Sequence, residues 1–185
     1  GIILKIDETM WIANFLSSHE QDKKKLIFDW DDEVYSTAVI NSFKEIDSEN
    51  LLYDQFIKAV SLFEKFRNNE IEAENVFDLN KFAKLFAITE ILGDPHSLES
   101  KNVKFYFNPQ TSLIEPIGYD HHQKIKKLTK LFPQNRKFYS YNNKVIWPYQ
   151  LLKNKKFFSM YMQELNKMSE KNYLDNFLNS IEKEL

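Results

Sequence analysis

Around Gly93 the hydrophobic period of this chain switches from that of a helix to that of a strand. Upstream, Leu79, Phe82, Ala83, Phe86 and Ala87 recur at i, i+3 and i+4, the spacing that lines one helical face. Asp78 stands where an N-cap carboxylate accepts a first-turn N–H. Phe77 and Phe82 occupy the N′ and N4 positions of a hydrophobic staple. Gly93 sits where a left-handed residue ends a helix, and Pro95 prevents continuation. These signals predict a helix from Asp78 to Leu92. After the polar loop His96 to Lys101, Val103, Phe105 and Phe107 alternate with Lys104, Tyr106 and Asn108. Asn108-Pro109-Gln110-Thr111 reads as a turn, and Ser112 to Tyr119 as the returning strand, closed by Asp120.

Punctuation of this kind is confined to one region. Of the three glycines, five prolines and four histidines, Gly93, Gly118, Pro95, Pro109, Pro116, His96, His121 and His122 all fall between residues 93 and 122. Elsewhere the sequence is nearly unbroken and reads as helix. Asn50 to Arg67 carries a wide apolar stripe of Leu51, Leu52, Phe56, Ala59, Val60 and Phe63. Glu8 to Leu16 forms a shorter helical pattern. The acidic run from Asp29 to Glu33 resembles a first turn leading into a helix over Val34 to Ile46. From His121 to Leu185 the helical pattern returns, interrupted near Pro133 and Pro148. Its last part, Lys171 to Leu185, is an amphipathic helix expected to dock through Leu174, Phe177, Leu178, Ile181 and Leu185. Ile2 to Ile6 is β-branched and apolar, a short strand. The expected fold is therefore mainly α within the α+β class: one helical domain over 1–185 with one β-hairpin.

Composition narrows the function. Three glycines are too few for a Walker loop or a dinucleotide fingerprint. Without cysteine there is no disulfide, thiolate zinc site, iron–sulfur cluster or thiol nucleophile. Twenty-five Lys and Arg against 27 Asp and Glu leave a charge of −2, which gives no global attraction to nucleic acid. No apolar run approaches the ~20 residues of a membrane span. The chain opens on Gly1 straight into Ile2-Ile3-Leu4, as a processed or truncated product would.

The residues able to carry chemistry are Glu90, Asp94, His96, Asn102, Asp120, His121 and His122. The two strand-ends of a hairpin lie side by side, so Asn102 and Asp120 are expected to be neighbours beside the helix–strand loop. An amide oxygen and a carboxylate are hard ligands, suited to Mg²⁺ carrying a nucleotide phosphate. A further carboxylate can orient a hydroxyl or accept its proton. Each residue also has an ordinary structural role: Asp-Pro forms turns, Asn bridges loops, and Asp120 can cap the next helix. A metal-dependent hydrolase built on Asp94, His96, Asp120 and a neighbouring histidine is a weaker alternative, since adjacent His121 and His122 diverge and no HExxH pattern exists. Trp147-Pro148-Tyr149 reads as core packing. The basic run Lys124, Lys126, Lys127, Lys130, Arg136 and Lys137 reads as a solvated helical face.

The order of parts is that of a protein-kinase C-lobe: helix, polar loop with Asp then Asn, hairpin, strand-ending Asp. The stretch from Phe77 to His122, about a quarter of the chain, resembles the core of the CotH kinase family of bacterial spore-coat and surface proteins. The resemblance rests on Phe82 to Gly93, on Asn102 before Phe105-Tyr106-Phe107, and on Pro116-Ile117-Gly118-Tyr119-Asp120. Ile3 to Glu8 further resembles the segment joining that family's two lobes.

The resemblance implies ATP and Mg²⁺ as cofactors, with Asn102 and Asp120 on the metal and nucleotide. Asp94 would be the catalytic-loop acid, with Glu99 as the alternative. Asp94 stands eight residues before Asn102, where an ordinary kinase uses about five; Ser97 occupies that shorter spacing and cannot replace a carboxylate. The implied partner is a protein substrate of a coat or surface, phosphorylated on Ser or Thr. The glycine-rich loop and phosphate lysine of an N-lobe are missing from these residues, so the chain is expected to be a C-lobe fragment with little activity alone. The competing expectation is a non-catalytic scaffold or interaction module that keeps the fold only.

Overall fold

A computed structural model describes residues 1–7, 38–93, 95–98, 100, 102–119 and 147–183, with the side chains of Pro95 and His96 left aside. The expected features on Glu8 to Leu16, Asp29 to Glu33, the basic run and Pro133 lie outside the described residues. The described part is a mixed α+β arrangement of helices against a small antiparallel sheet. Its strands are β1 (Ile2–Asp7), β2 (Val39–Ser42), β3 (Lys104–Asn108) and β4 (Leu113–Ile117). The helices are α1 (Tyr53–Arg67), α2 (Leu79–Leu92), α3 (Trp147–Leu152), α4 (Lys155–Met168) and α5 (Tyr173–Glu182). None of the described helices is long and apolar enough to cross a membrane.

α2 follows its sequence signals closely. Asp78 is extended and accepts a hydrogen bond from the Lys81 N–H, and Gly93 ends the helix at φ 64°. The staple forms as well, with the Phe77 and Phe82 rings edge-on at 5.1 Å. Phe82, Ala83, Phe86 and Ala87 are fully buried, and of the helices α2 packs most extensively on α4. Phe86 meets Phe157 at 5.1 Å and Trp147 at 5.8 Å, while Phe82 meets Trp147 at 6.1 Å. Phe63 of α1 contacts Phe77 and Phe105, so the aromatic core runs continuously from the sheet into the helices. Edge-on pairs of this kind add roughly 0.5–1.5 kcal/mol each beyond area burial.

The hairpin is larger than expected. β3 and β4 pair as read, from Lys104↔Ile117 to Asn108↔Leu113, but β1 lies against β3 and β2 against β1, giving the order β2-β1-β3-β4. Residues 76–78 cover part of the outer edge of β4: Ile114 N–H donates to Val76 O, and Asp78 N–H to Ile114 O. This edge is held by side chains too. Glu115 forms an ion pair with Lys81 of α2 at 2.6 Å and accepts from Asn108 Nδ2 at 2.8 Å.

Three expectations need correction. Val39–Ser42 is a strand, not part of a helix over Val34 to Ile46, because its β-branched pair Val39-Ile40 finds a partner in β1 far away in sequence. Arg67 Nη1 donates to the Ala38 carbonyl at 2.6 Å and ties that strand to α1. α1 starts at Tyr53, and Leu51, expected on its apolar stripe, is 96% exposed ahead of the first turn. Pro148 lies within α3, and the residues before Trp147, on which the expected break depends, lie outside the described residues. α3 and α4 are separated where Asn154 caps α4 by accepting from the Phe157 N–H. Finally, α5 forms but does not dock as expected: none of its residues is buried, and Leu174, Phe177, Leu178 and Ile181 remain exposed.

Candidate functional site

The antiparallel pairings bring the end of β1, the start of β2, the start of β3 and the end of β4 to one edge of the sheet. This mouth is where the sequence places Asn102. Continued by two residues, the β1–β3 register sets Asp7 across from Asn102, and the β3–β4 register sets Tyr119 on its other side. Asn102 is half-buried there. Asp7 lies on the outward side of β1, bonded to Lys5 Nζ at 3.2 Å and to Asn41 Nδ2 at 3.4 Å. Lys104 Nζ donates to the Asn102 carbonyl at 2.9 Å and to the Val103 carbonyl at 3.3 Å, and lies 5.8 Å from the centroid of the Tyr119 ring.

Behind the mouth, the loop after α2 is fastened to the core. Pro95–Leu98 makes one 3₁₀ turn. Leu98 is buried, and the buried indole of Trp147 donates to its carbonyl at 2.7 Å. Ser97 is 3% exposed and its hydroxyl, like that of Thr89, has no hydrogen-bond partner among the described residues. Ser97 therefore faces inward and is unavailable to a substrate. Glu90, on the last turn of α2, lies close enough to Tyr161 for its charge to act on the phenol. Burial first, and that carboxylate second, push the Tyr161 phenol well above its usual range and keep it neutral.

Of the expected site residues, Asn102 and Glu90 are described. Asp94, Glu99, Asp120, His121 and His122 lie outside the described residues, as does the His96 side chain. Among the described residues no group of three or more His, Asp or Glu side chains gathers as a metal site. The sequence carries no motif that marks Asp7, Lys104 or Tyr119 as site residues. Asp7 was visible within the Ile3 to Glu8 segment, but only strand pairing shows that it lies at the same end of the sheet as Asn102. The alternation of Lys104 with Phe105 fixed its outward side and gave no sign of what its ammonium would hold.

A pocket of about 170 Å³ lies elsewhere, lined by Phe66, Asn69, Glu72, Gln150 and Lys153 among others. It falls short of the roughly 300–1,000 Å³ of small-molecule sites and holds none of the expected residues. Gln150 fills its wall, donating to the Phe66 carbonyl at 2.6 Å and to Asn69 Oδ1 at 3.0 Å. The sheet mouth is thus the better candidate, on oxygen donors and on the convergence of four strand ends. No family model, curated protein or solved structure matches the chain.

Proposed function

We propose that this chain forms the helical lobe of a CotH-type, protein-kinase-like phosphotransferase. Joined to a nucleotide-binding lobe, it would transfer phosphate from ATP to Ser or Thr of a coat or surface protein. The observation that carries this reading is the adjacency at the sheet mouth. A helix stopped at Gly93 leads through one 3₁₀ turn to Asn102, and the β1–β3 and β3–β4 registers, continued two residues past their last pairs, run from Asn102 toward Asp7 and Tyr119. Residue 120 follows directly in the chain. On this reading Asn102 and Asp120 hold Mg²⁺, a hard cation that suits amide and carboxylate oxygens. Asp94 orients the acceptor hydroxyl. Bound Mg²⁺ and ATP supply the phosphoryl group and neutralise its charge, while the residues of this chain bind and align.

The test is Mg²⁺-dependent ATP binding and protein phosphorylation by the full-length protein. Wild type should bind and transfer; Asp120→Ala should lose transfer by at least about a thousandfold, the scale expected for losing electrostatic stabilisation of phosphoryl transfer. These 185 residues alone should transfer little or nothing. A full-length protein that folds yet binds no ATP with Mg²⁺ sinks the reading.

A non-catalytic interaction module is favoured by a different observation, the exposed apolar face of α5. Under that reading ATP binding is absent, and substitutions on α5 abolish partner association without altering the fold.

A further inference from the structure

Lys5 and Lys104 oppose each other directly across β1 and β3, both on the outward side of the sheet. Like charges opposed in this way destabilise a strand pair unless each is offset. Lys5 is offset on its own strand by Asp7. Lys104 reaches beyond the end of the ladder. The β3–β4 pairing finishes at Lys104↔Ile117, so Asn102, Val103 and Tyr119 all lie past the last paired residues. The contacts of Lys104 with the carbonyls of Asn102 and Val103 and with the Tyr119 ring join those two strand ends.

The geometry points to Lys104 as a positioning residue: its ammonium clamps the Asn102–Val103 turn to Tyr119 and so fixes the spacing between Asn102 and Tyr119. An ammonium suits this place because it can donate to two carbonyls while presenting its charge to an aromatic face. The clamp stands on the contacts alone. Its consequence for ligand binding rests on the kinase-like reading above.

The experiment compares the wild-type full-length protein with Lys104→Met and Lys104→Arg, by amide hydrogen exchange and by Mg²⁺-dependent ATP binding. Methionine keeps length and volume but removes the charge. In that variant, exchange over residues 102–104 and 117–119 should rise about tenfold, the worth of one carbonyl bond with a cation–π contact, while α2 is unchanged. ATP affinity should fall by about tenfold as well. Lys104→Arg should stay within about threefold on both readouts, since the cation and its donors remain. Unchanged exchange in Lys104→Met overturns the clamp. Raised exchange with unchanged ATP affinity overturns the positioning role. Should the methionine variant fail to fold, Lys104→Ala, with neither charge nor side-chain donor, carries the same expectations. A wild-type protein that binds no ATP overturns the kinase-like reading instead, and the exchange comparison still decides the clamp.

Discussion

Glu115 illustrates how a single side chain holds the hairpin to the helix beside it. It is almost buried, and burial alone would raise its carboxyl. The hydrogen bonds from Lys81 and Asn108, with the Lys81 charge, outweigh burial and hold the pKa below its ordinary 4.5. A carboxylate lowered on folding stabilises fully above its unfolded pKa and loses that contribution as pH falls through the folded one. The stability difference between wild type and Glu115→Gln should therefore be constant near neutral pH and shrink progressively below about pH 4.5. At neutral pH the substitution should cost about 1–2 kcal/mol in urea unfolding, because Lys81 is half-exposed and regains water. A difference that grows on acidification would show that the carboxylate is not held charged. None of this was visible in the sequence, where Glu115 was simply one residue of a returning strand.

At the scale of elements, α2 is the axis on which the described structure is assembled, and Phe86 is the ring that joins it to both neighbouring helices. It contacts Trp147, Phe157 and Tyr161, which come from α3 and α4. Phe86→Ala removes a fully buried ring where neighbours from two other helices cannot all collapse inward. The expected loss is about 3–5 kcal/mol by denaturant unfolding. A loss under about 1 kcal/mol would mean that α3 and α4 do not pack on α2. The same ring system positions the mouth, since Trp147 touches Phe86 and also holds the Leu98 carbonyl. Trp147 was legible as core; its indole N–H as an anchor for the loop was not, because the two residues are 49 apart in sequence.

For the molecule as a whole, α5 separates what an amphipathic pattern says from what it does. Its stripe predicted docking, yet Leu174 is 62% exposed and Phe177 and Leu178 about half. Phe177→Ser with Leu178→Ser should therefore leave unfolding free energy within about 0.5 kcal/mol of wild type, as for surface substitutions. Destabilisation by 2 kcal/mol or more, on the scale of emptying a core site, would show that the helix docks after all.

The sequence by itself determined α2 with both its ends, the pairing of the hairpin strands, and the strand at Ile2–Asp7. Those features depend on chemistry within a few residues: a carboxylate one turn from the N–H it accepts, a glycine able to take positive φ, side chains alternating across a pleat. Only the tertiary structure decided that Val39–Ser42 is a strand, that β1 lies between β2 and β3, that Asp7 and Lys104 stand at the same mouth as Asn102, and that α5 leaves its apolar face uncovered. A strand exists only where a distant partner accepts its hydrogen bonds, and an apolar stripe states that something should cover it without saying what. The mouth that the candidate function depends on is of this second kind, made by strand ends that meet across a hundred residues of chain.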